Sequence, residues 1–474
     1  MSNQGTLPNK YSELRSIYKY YIDSYNALYQ LKTESEEKIN KIYTMIKTEL
    51  IDSKSHLPYN IMNDILFIIP YNNRYLKPYL SLAKLIYDNY QVNDKINAPL
   101  RGRYLFYKEY GIILDKSIDY DQFNSENRDI HTENTVYRAI MYNDKEKFIY
   151  FIESEGFDKD QKLESDLYPY SEKGLSLLEL CCYHGAVDCF KLLRTKFKSE
   201  ITDVCLVFSF LGGNQEIMME CLKYQKPDKE CMEHAIISHN IDFVTFLMNE
   251  YNIEIDLKYC GVYNNLESFL VYFDQTNDFN QYFINSARFN IPSLLEYFIS
   301  HGININEKDN DGQTALHNAA ITNSKETVEF LISHGANINE KDNAGETALH
   351  KAAIMNSKET VEFLISHGAN INEKNNAGKT ALHLALICES KETVELLISQ
   401  GANINEKDNH GDTALHKAAL MGCKETVELL ILQGANVNEK DKFGNTPLYN
   451  AAFSDYKETV EFPISLASIY FACF

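Results

Sequence analysis

The sequence predicts an all-α solenoid of stacked helix pairs behind a helical N-terminal region. Three observations carry this. The phrase "TALH" stands at 314–317, 347–350, 380–383 and 413–416, with a cousin "TPLY" at 446–449, so the step is 33 residues. Between the copies the chain is nearly fixed: "SKETVEFLISHGANINEKDN" at 324–343 returns as "SKETVEFLISHGANINEKNN" at 357–376 and "SKETVELLISQGANINEKDN" at 390–409. A period of this size marks units that cannot bury an apolar face alone and therefore stack on their neighbours. Finally, the first 130 residues lack the repeat but carry apolar residues at helical spacing.

In that N-terminal stretch Leu14, Tyr18, Tyr21, Tyr25 and Leu28 alternate four and three apart. After a polar gap at Lys32 and Ser35, Ile39, Ile42 and Ile46 resume the pattern. No Gly or Pro interrupts residues 10–51. A run this long suits a coiled coil or a helical hairpin, or else helices that pack on others expected near 60–69 and 75–90.

Residues 134–305 read as shorter, degenerate helix pairs. In the regular units one small first-helix residue recurs, at Ala319, Ala352, Ala385, Ala418 and Ala451. Its counterparts upstream are Ser286, Cys260, Ala235, Ser209, Cys181 and Ala139. The steps between them shrink to 25–28 residues, apart from one of 42 that contains "KDQKLESDLYPYSEKG". So short a step holds two helices and leaves little room for a projecting turn.

In a regular unit each segment has a physical task. Thr314 caps the first helix, its hydroxyl accepting the N–H of His317. Ala315 fills the first helical position, where proline is tolerated and where Pro447 stands in the last unit. Leu316, Ala319 and Ala320 give a small apolar face that lets helices approach closely. Ser324 caps the second helix, and Val328, Leu331 and Ile332 share one of its faces. Gly335 then stops it in the left-handed conformation. "INEKDNAG" at 338–345 places Asn, Asp and Gly at turn spacing.

Helix, turn, helix, glycine stop and projecting turn at a 33-residue period resemble the ankyrin repeat, whose T-P-L-H phrase differs here by Ala for Pro in four of five units. The weaker pairs upstream resemble the short-repeat region that precedes ankyrin arrays in large protein families of some single-celled eukaryotes. The resemblance implies an ankyrin-type α-solenoid divided into a helical region 1–130, degenerate pairs 131–305 and regular repeats 306–474.

Composition narrows the function. A net charge of −21 disfavours nucleic-acid backbones, which need clustered Lys and Arg, and anionic membrane surfaces. It favours basic or neutral protein partners. The apolar stretches "ILFIIP" and "PISLASIYFACF" are too short to span a bilayer. Ten cysteines form no C-x-x-C pair; Cys181, Cys189, Cys205, Cys221 and Cys260 fall in expected helices as small core residues. With no N-terminal apolar run, the expectation is a reduced, intracellular and cytoplasmic setting.

No catalytic, cofactor or metal constellation emerges. His317, His350, His383 and His416 align along the stack, as do His301, His334 and His367. A metal needs ligands about 2 Å from it. Stacked helices stand about 8–10 Å apart, so successive rungs cannot share one ion. "FLGGNQE" at 210–216 lacks the Lys and Ser/Thr of a phosphate loop and reads as a turn between helices. The "NEKDN" runs read as solvated turn faces.

What remains is a surface. In ankyrin proteins partners are held by turn tips and the exposed edge of the first helix. Carried over by position, the tip candidates are Asp311, Gln313, Ala344, Glu346, Ala377, Lys379, His410, Asp412 and Phe443. The first-helix candidates are Ile321, Ile354, Met355, Ile387, Leu420, Met421 and Phe453. Ile321, Ile354, Ile387, Leu420 and Phe453 form one apolar stripe, either exposed to a partner or covered by adjacent units. The expected function is a non-catalytic protein–protein scaffold or adaptor without a cofactor. The alternative is a regulatory or substrate-recruiting subunit of an enzyme complex such as a ubiquitin ligase. Self-association through the N-terminal helix or the C-terminal tail is a further partner class. In the tail, Pro463 stands where other units have Leu331, Leu364, Leu397 and Leu430, which predicts a kinked or shortened last helix.

Overall fold

The computed structural model describes residues 10–453 except 54–55, 93–95, 97, 116–119, 121–129, 171–172, 276–277 and 389. The expected defect at Pro463 lies outside the described residues. The chain divides into two compact units, Met1–Asn277 and Asp278–Phe474. Almost all regular structure is helical. The described exception is a two-residue antiparallel pair, β1 (Lys162–Leu163) with β2 (Leu175–Ser176), set in the one long step between degenerate repeats.

The first unit opens with six helices: α1 (Lys10–Ile17), α2 (Lys19–Tyr29), α3 (Glu36–Ile46), α4 (Pro58–Ile68), α5 (Leu76–Tyr90) and α6 (Leu100–Tyr110). The long apolar pattern is therefore not one rod. It breaks at Tyr18, whose backbone leaves the helical region, and at the polar gap before Ser35. Leu14, Tyr18, Tyr21, Tyr25, Leu28, Ile39 and Ile46 are all buried. Five helix pairs follow in this unit. They are α7 (Val136–Met141) with α8 (Lys145–Glu153), α9 (Leu177–His184) with α10 (Val187–Leu192), and α11 (Asp203–Gly212) with α12 (Gln215–Cys221). Then come α13 (Lys229–Ile237) with α14 (Ile241–Tyr251), and α15 (Leu257–Val262) with α16 (Leu266–Gln275). First helices stack on first helices, while α1 and α2 pack on α16 and α3 packs on α5.

The second unit begins with α17 (Phe279–Ser286) and α18 (Pro292–Ser300). Four regular pairs follow: α19 (Ala315–Ile321) with α20 (Lys325–Ser333), α21 (Ala348–Ile354) with α22 (Lys358–Ser366), α23 (Ala381–Ile387) with α24 (Lys391–Ser399), and α25 (Ala414–Leu420) with α26 (Lys424–Leu432). Helix α27 (Pro447–Phe453) is the last described element.

One register runs through both units. Ala139, Cys181, Ser209, Ala235, Cys260 and Ser286 each lie in a first helix and are fully buried, as are Ala319, Ala352, Ala385, Ala418 and Ala451. Four residues after this small residue the backbone turns left-handed at each described position, from Asn143 through Gly185, Gly213, His239, Asn264, Asn290, Asn323 and Asn356 to Gly422. Asn and Gly dominate because they tolerate positive φ best.

Side chains tie each regular unit to the next. His317 Nδ1 accepts the Thr314 backbone N–H at 3.1 Å, and its Nε2 donates to the Glu346 carbonyl at 2.9 Å. His350, His383 and His416 repeat the pattern onto the carbonyls of Lys379, Asp412 and Asn445. Both ring nitrogens are thus committed to holding turn, helix and next unit together. His334 and His367 instead lie over Phe330 and Phe363 at 4.0 and 3.9 Å and donate to their carbonyls.

The "NEKDN" runs turn out to be rungs as well as solvated turns. Lys308 donates to the Lys341 carbonyl and pairs with Glu340 at 2.7 Å. Lys341, Lys374 and Lys407 do the same one unit on, with Glu373, Glu406 and Glu439. Such exposed pairs add little each, on the order of 0.2–1 kcal/mol, but they fix the spacing between units.

Candidate partner-binding surface

The turn tips are built on a side-chain-braced reversal. Asp309 Oδ1 accepts the backbone N–H of Asp311 at 2.9 Å and of Gln313 at 2.8 Å. Asp342, Asn375, Asp408 and Asp441 brace the following tips in the same way. Neighbouring tips are bonded backbone to backbone: Asn343 N–H to the Asp311 carbonyl, Asn376 to Ala344, Asn409 to Ala377 and Lys442 to His410, each 2.9 Å. Gly345 must be glycine here, since its φ is +74° and an added Cβ would stand 2.4 Å from Asn376 Oδ1.

On this scaffold Asp311, Ala344, Ala377, His410 and Phe443 are exposed, Phe443 by 78%. Gln313, Glu346, Lys379 and Asp412 are half-buried. Two of these acids are held by lysines that sequence reasoning passed over. Lys351 lies 2.7 Å from Asp342 and 2.6 Å from Glu346. Lys417 spans Asp408 and Asp412. Burial works against the Asp342 charge, but Lys351 and the Glu346 amide overcome it and hold the carboxyl below its usual range. The unit between them lacks the cluster. There Leu384, Asn375 and Lys379 stand in its place, and the Asn375 amide donates to Glu346 at 3.1 Å. The spacing of an acid with a lysine five residues on was the available signal.

The apolar stripe lies at the other end of the same helices. Each first helix has seven residues, about 10 Å of rise, so tips and stripe form two separate edges. Ile321, Ile354, Ile387 and Met421 are half-buried, while Met355, Leu420 and Phe453 are exposed by 47%, 43% and 78%.

A family model described as ankyrin repeats (3 copies) matches four overlapping stretches, residues 283–375, 340–408, 367–441 and 394–465. The chain carries an ankyrin-repeat array. A second model, described as a domain of unknown function (DUF3447), matches residues 197–272, within the degenerate pairs. No curated protein matches the chain. No helix among the described residues is long and apolar enough to cross a membrane.

Against the ankyrin array, the first unit shows the stripe edge in use. Counting from the small first-helix residue, Tyr183 matches Ile321, and His184 and Tyr263 match Thr322. His239 and Asn264 match Asn323, and Glu267 matches Glu326. All these positions carry the N-terminal helices. The Tyr183 hydroxyl donates to the Pro70 carbonyl at 2.7 Å, and the Arg74 guanidinium donates to the His184 carbonyl at 2.7 Å. Tyr263 stacks on Phe67 at 5.8 Å, and Tyr29 lies on His239 at 4.1 Å. Tyr21 donates to Asn264 at 2.8 Å. Asn26 links His239 to Glu267, and Arg15 pairs with Glu267 at 2.6 Å. These partners lie more than 100 residues apart in sequence, and no local pattern announces them.

Proposed function

We propose that the ankyrin array holds a protein partner without catalysing a reaction on it, as a scaffold or adaptor. The observation that supports this most is the stripe edge. Met355, Leu420 and Phe453 present apolar side chains to water at two adjacent positions of the repeat, with Phe443 alone at the tip edge. Apolar side chains grouped on one edge mark an interaction surface. The proposed division of labour follows the sequence regions. Residues 306–474 recognise, 131–305 support, and 1–130 cover the supporting repeats. The proposed setting is the reduced cell interior, where thiols such as Cys181, Cys205 and Cys260 serve as unpaired core residues.

Capture assays with the full chain test the reading. Met355→Asp combined with Leu420→Asp should abolish partner capture while the helical circular-dichroism signal stays unchanged. Capture that survives both changes would remove the stripe from the binding surface. The finer version, in which the array recruits substrates to an enzyme such as a ubiquitin ligase, needs a second docking surface on residues 1–130. Exposed substitutions on α3, such as Lys41→Glu, should then release the enzyme and keep the substrate.

A further inference from the structure

We propose that the first unit binds a compact polyphosphate, in a cavity between its N-terminal helices and its first helix pair. The site lies apart from the array and does not depend on the scaffold reading. The cavity has a volume of about 690 Å³, within the range of small-molecule sites. Its cations come from three places in the chain. Arg74 stands just before α5 and Lys77 within it, Arg101 and Lys108 lie on α6, and Arg138 lies on α7. The carboxylates lining the cavity, Glu34, Glu109 and Glu133, are all exposed. The three arginines are half-buried. The full charges drawn out of water here are thus positive, in a chain of net charge −21.

A guanidinium taken out of water is ordinarily matched by a carboxylate. Arg101 has one: Asp166, between β1 and β2, lies 2.8 Å from its Nη1. Arg74 and Arg138 have none among the described residues. Arg74 donates to the His184 carbonyl at 2.7 Å. Its Cζ stands 5.8 Å from the centre of the Tyr142 ring, and that of Arg138 stands 4.4 Å from the same ring. Two guanidinium groups therefore share one aromatic ring, whose hydroxyl donates to Glu34 at 3.0 Å. Donors are left over as well. Arg74 Nε and Arg101 Nε and Nη1 are buried without a hydrogen-bond acceptor among the described residues. The guanidinium fork matches the paired oxygens of a phosphate, and each such bond is charge-assisted. A monocarboxylate offers one oxygen pair to three guanidinium groups. A polyphosphate has oxygens for all three, and the exposed Lys77 and Lys108 add point charges. The excess of acid elsewhere in the chain repels any anion, so the occupant is one whose own charge is dense enough to gain from all five cations.

The test is calorimetric titration of the full chain with tripolyphosphate, ATP and inositol hexakisphosphate. At least one should bind with a Kd below about 1 mM. Arg138→Gln and Arg101→Gln should each weaken that binding by about tenfold or more, as expected for a lost hydrogen bond to a charged group. Lys325→Gln makes the same change in net charge in the second unit and should leave binding unaltered. Tripolyphosphate should also raise amide protection in α6 and α7, because a ligand that binds only the folded site stabilises it. If Arg138→Gln loses helical signal, Arg138→Lys takes its place; it keeps the charge, loses the fork and should still weaken binding. Tighter binding of ATP than of tripolyphosphate supports the site and names a nucleotide as its source. Tighter binding of inositol hexakisphosphate supports it and names an inositol phosphate. No binding of the three at about 1 mM overturns the inference. So does binding that neither arginine substitution weakens, and so does a phosphotyrosine peptide that binds more tightly than all three.

Discussion

Tyr263 in the first unit and Met355 in the second hold the same place in the helix pair, and the protein buries one while exposing the other. The backbone around them is alike: a first helix, one residue at positive φ, then a second helix. The difference is a layer of N-terminal helices, of which α1, α2 and α4 reach the edge. Where that layer exists, the edge includes Tyr183, His184, His239 and Tyr263, whose polar tips find partners when buried. At the matching positions the array carries Ile321, Met355, Cys388 and Leu420 among others. The helix pair thus does not decide whether its edge is core or surface. A second layer, from the same chain or from a partner, decides it.

The most damaging way to probe this is to truncate both residues. Tyr263→Ala removes a buried ring in contact with Phe67 and Tyr71 and should cost about 3–5 kcal/mol. Met355→Ala should change stability by less than about 0.5 kcal/mol. Urea unfolding followed by amide exchange in α15 and α21 separates the two. Equal losses at both sites would end the comparison.

Gly212 and Thr322 give a second matched pair. The array accepts a β-branched residue at this position. In the first unit an added Cβ on Gly212 would stand 2.1 Å from the Cys182 carbonyl oxygen, because α11 lies tightly on α9. Gly212→Ala should therefore cost about 1–3 kcal/mol or more through overpacking. The same measurement on Thr322→Ala should show a few tenths. A Gly212→Ala protein with unchanged exchange in α9 and α11 would mean that the pairs are less tightly apposed than these positions require.

What the sequence disclosed follows the same division. The ankyrin array was legible because its rules are local and repeated: Thr before a helix, small residues at one face, Gly335 after the second helix. The degenerate pairs were legible through one small residue, from Ala139 to Ser286, that stays buried although the step changes. The N-terminal layer was visible as apolar periodicity, yet its docking was not. Asn26 and His239, or Tyr21 and Asn264, meet only after every intervening pair has stacked. The "NEKDN" rungs were missed for a related reason. A lysine that bonds 33 residues ahead looks, in one repeat, like any solvated turn lysine. Glu346 and Asp412 were singled out as tips, and their clamps, Lys351 and Lys417, were not. An ion cluster across the first helix needs the turn geometry before it can be counted.

The smallest expected effect is the response to acid, because its contributions partly cancel. In the array, burial pushes His317, His350 and His383 below the ordinary imidazole value. Each accepts at Nδ1 and donates at Nε2, so only the neutral ring fits. Unfolded, these histidines titrate near 6.5. Below that pH the unfolded chain binds protons that the folded array refuses, so the stability they contribute is present at pH 7.5 and falls toward pH 5. The first unit has the same tendency at His184, His234 and His239, which burial also depresses. It has an opposing group as well. Burial pushes the Asp64 carboxyl, beside Tyr25 and Asn264, up to about 7. A raised carboxyl binds its proton in the folded state first. Its contribution is complete below about pH 4 and is lost as the pH rises through about 7. Acidification from pH 7.5 to 5 should therefore lower amide protection in α19 and α21 more than in α13 and α15. Asp64→Asn keeps an acceptor for Tyr25 and removes the titration, so it should raise protection of the first unit at pH 7.5 and narrow the difference between the units; Glu233, which burial also raises, keeps part of it. If that variant leaves the acid response of α13 and α15 unchanged, Asp64 is already ionised in the folded protein and the buried layer around it is wetter than its packing implies.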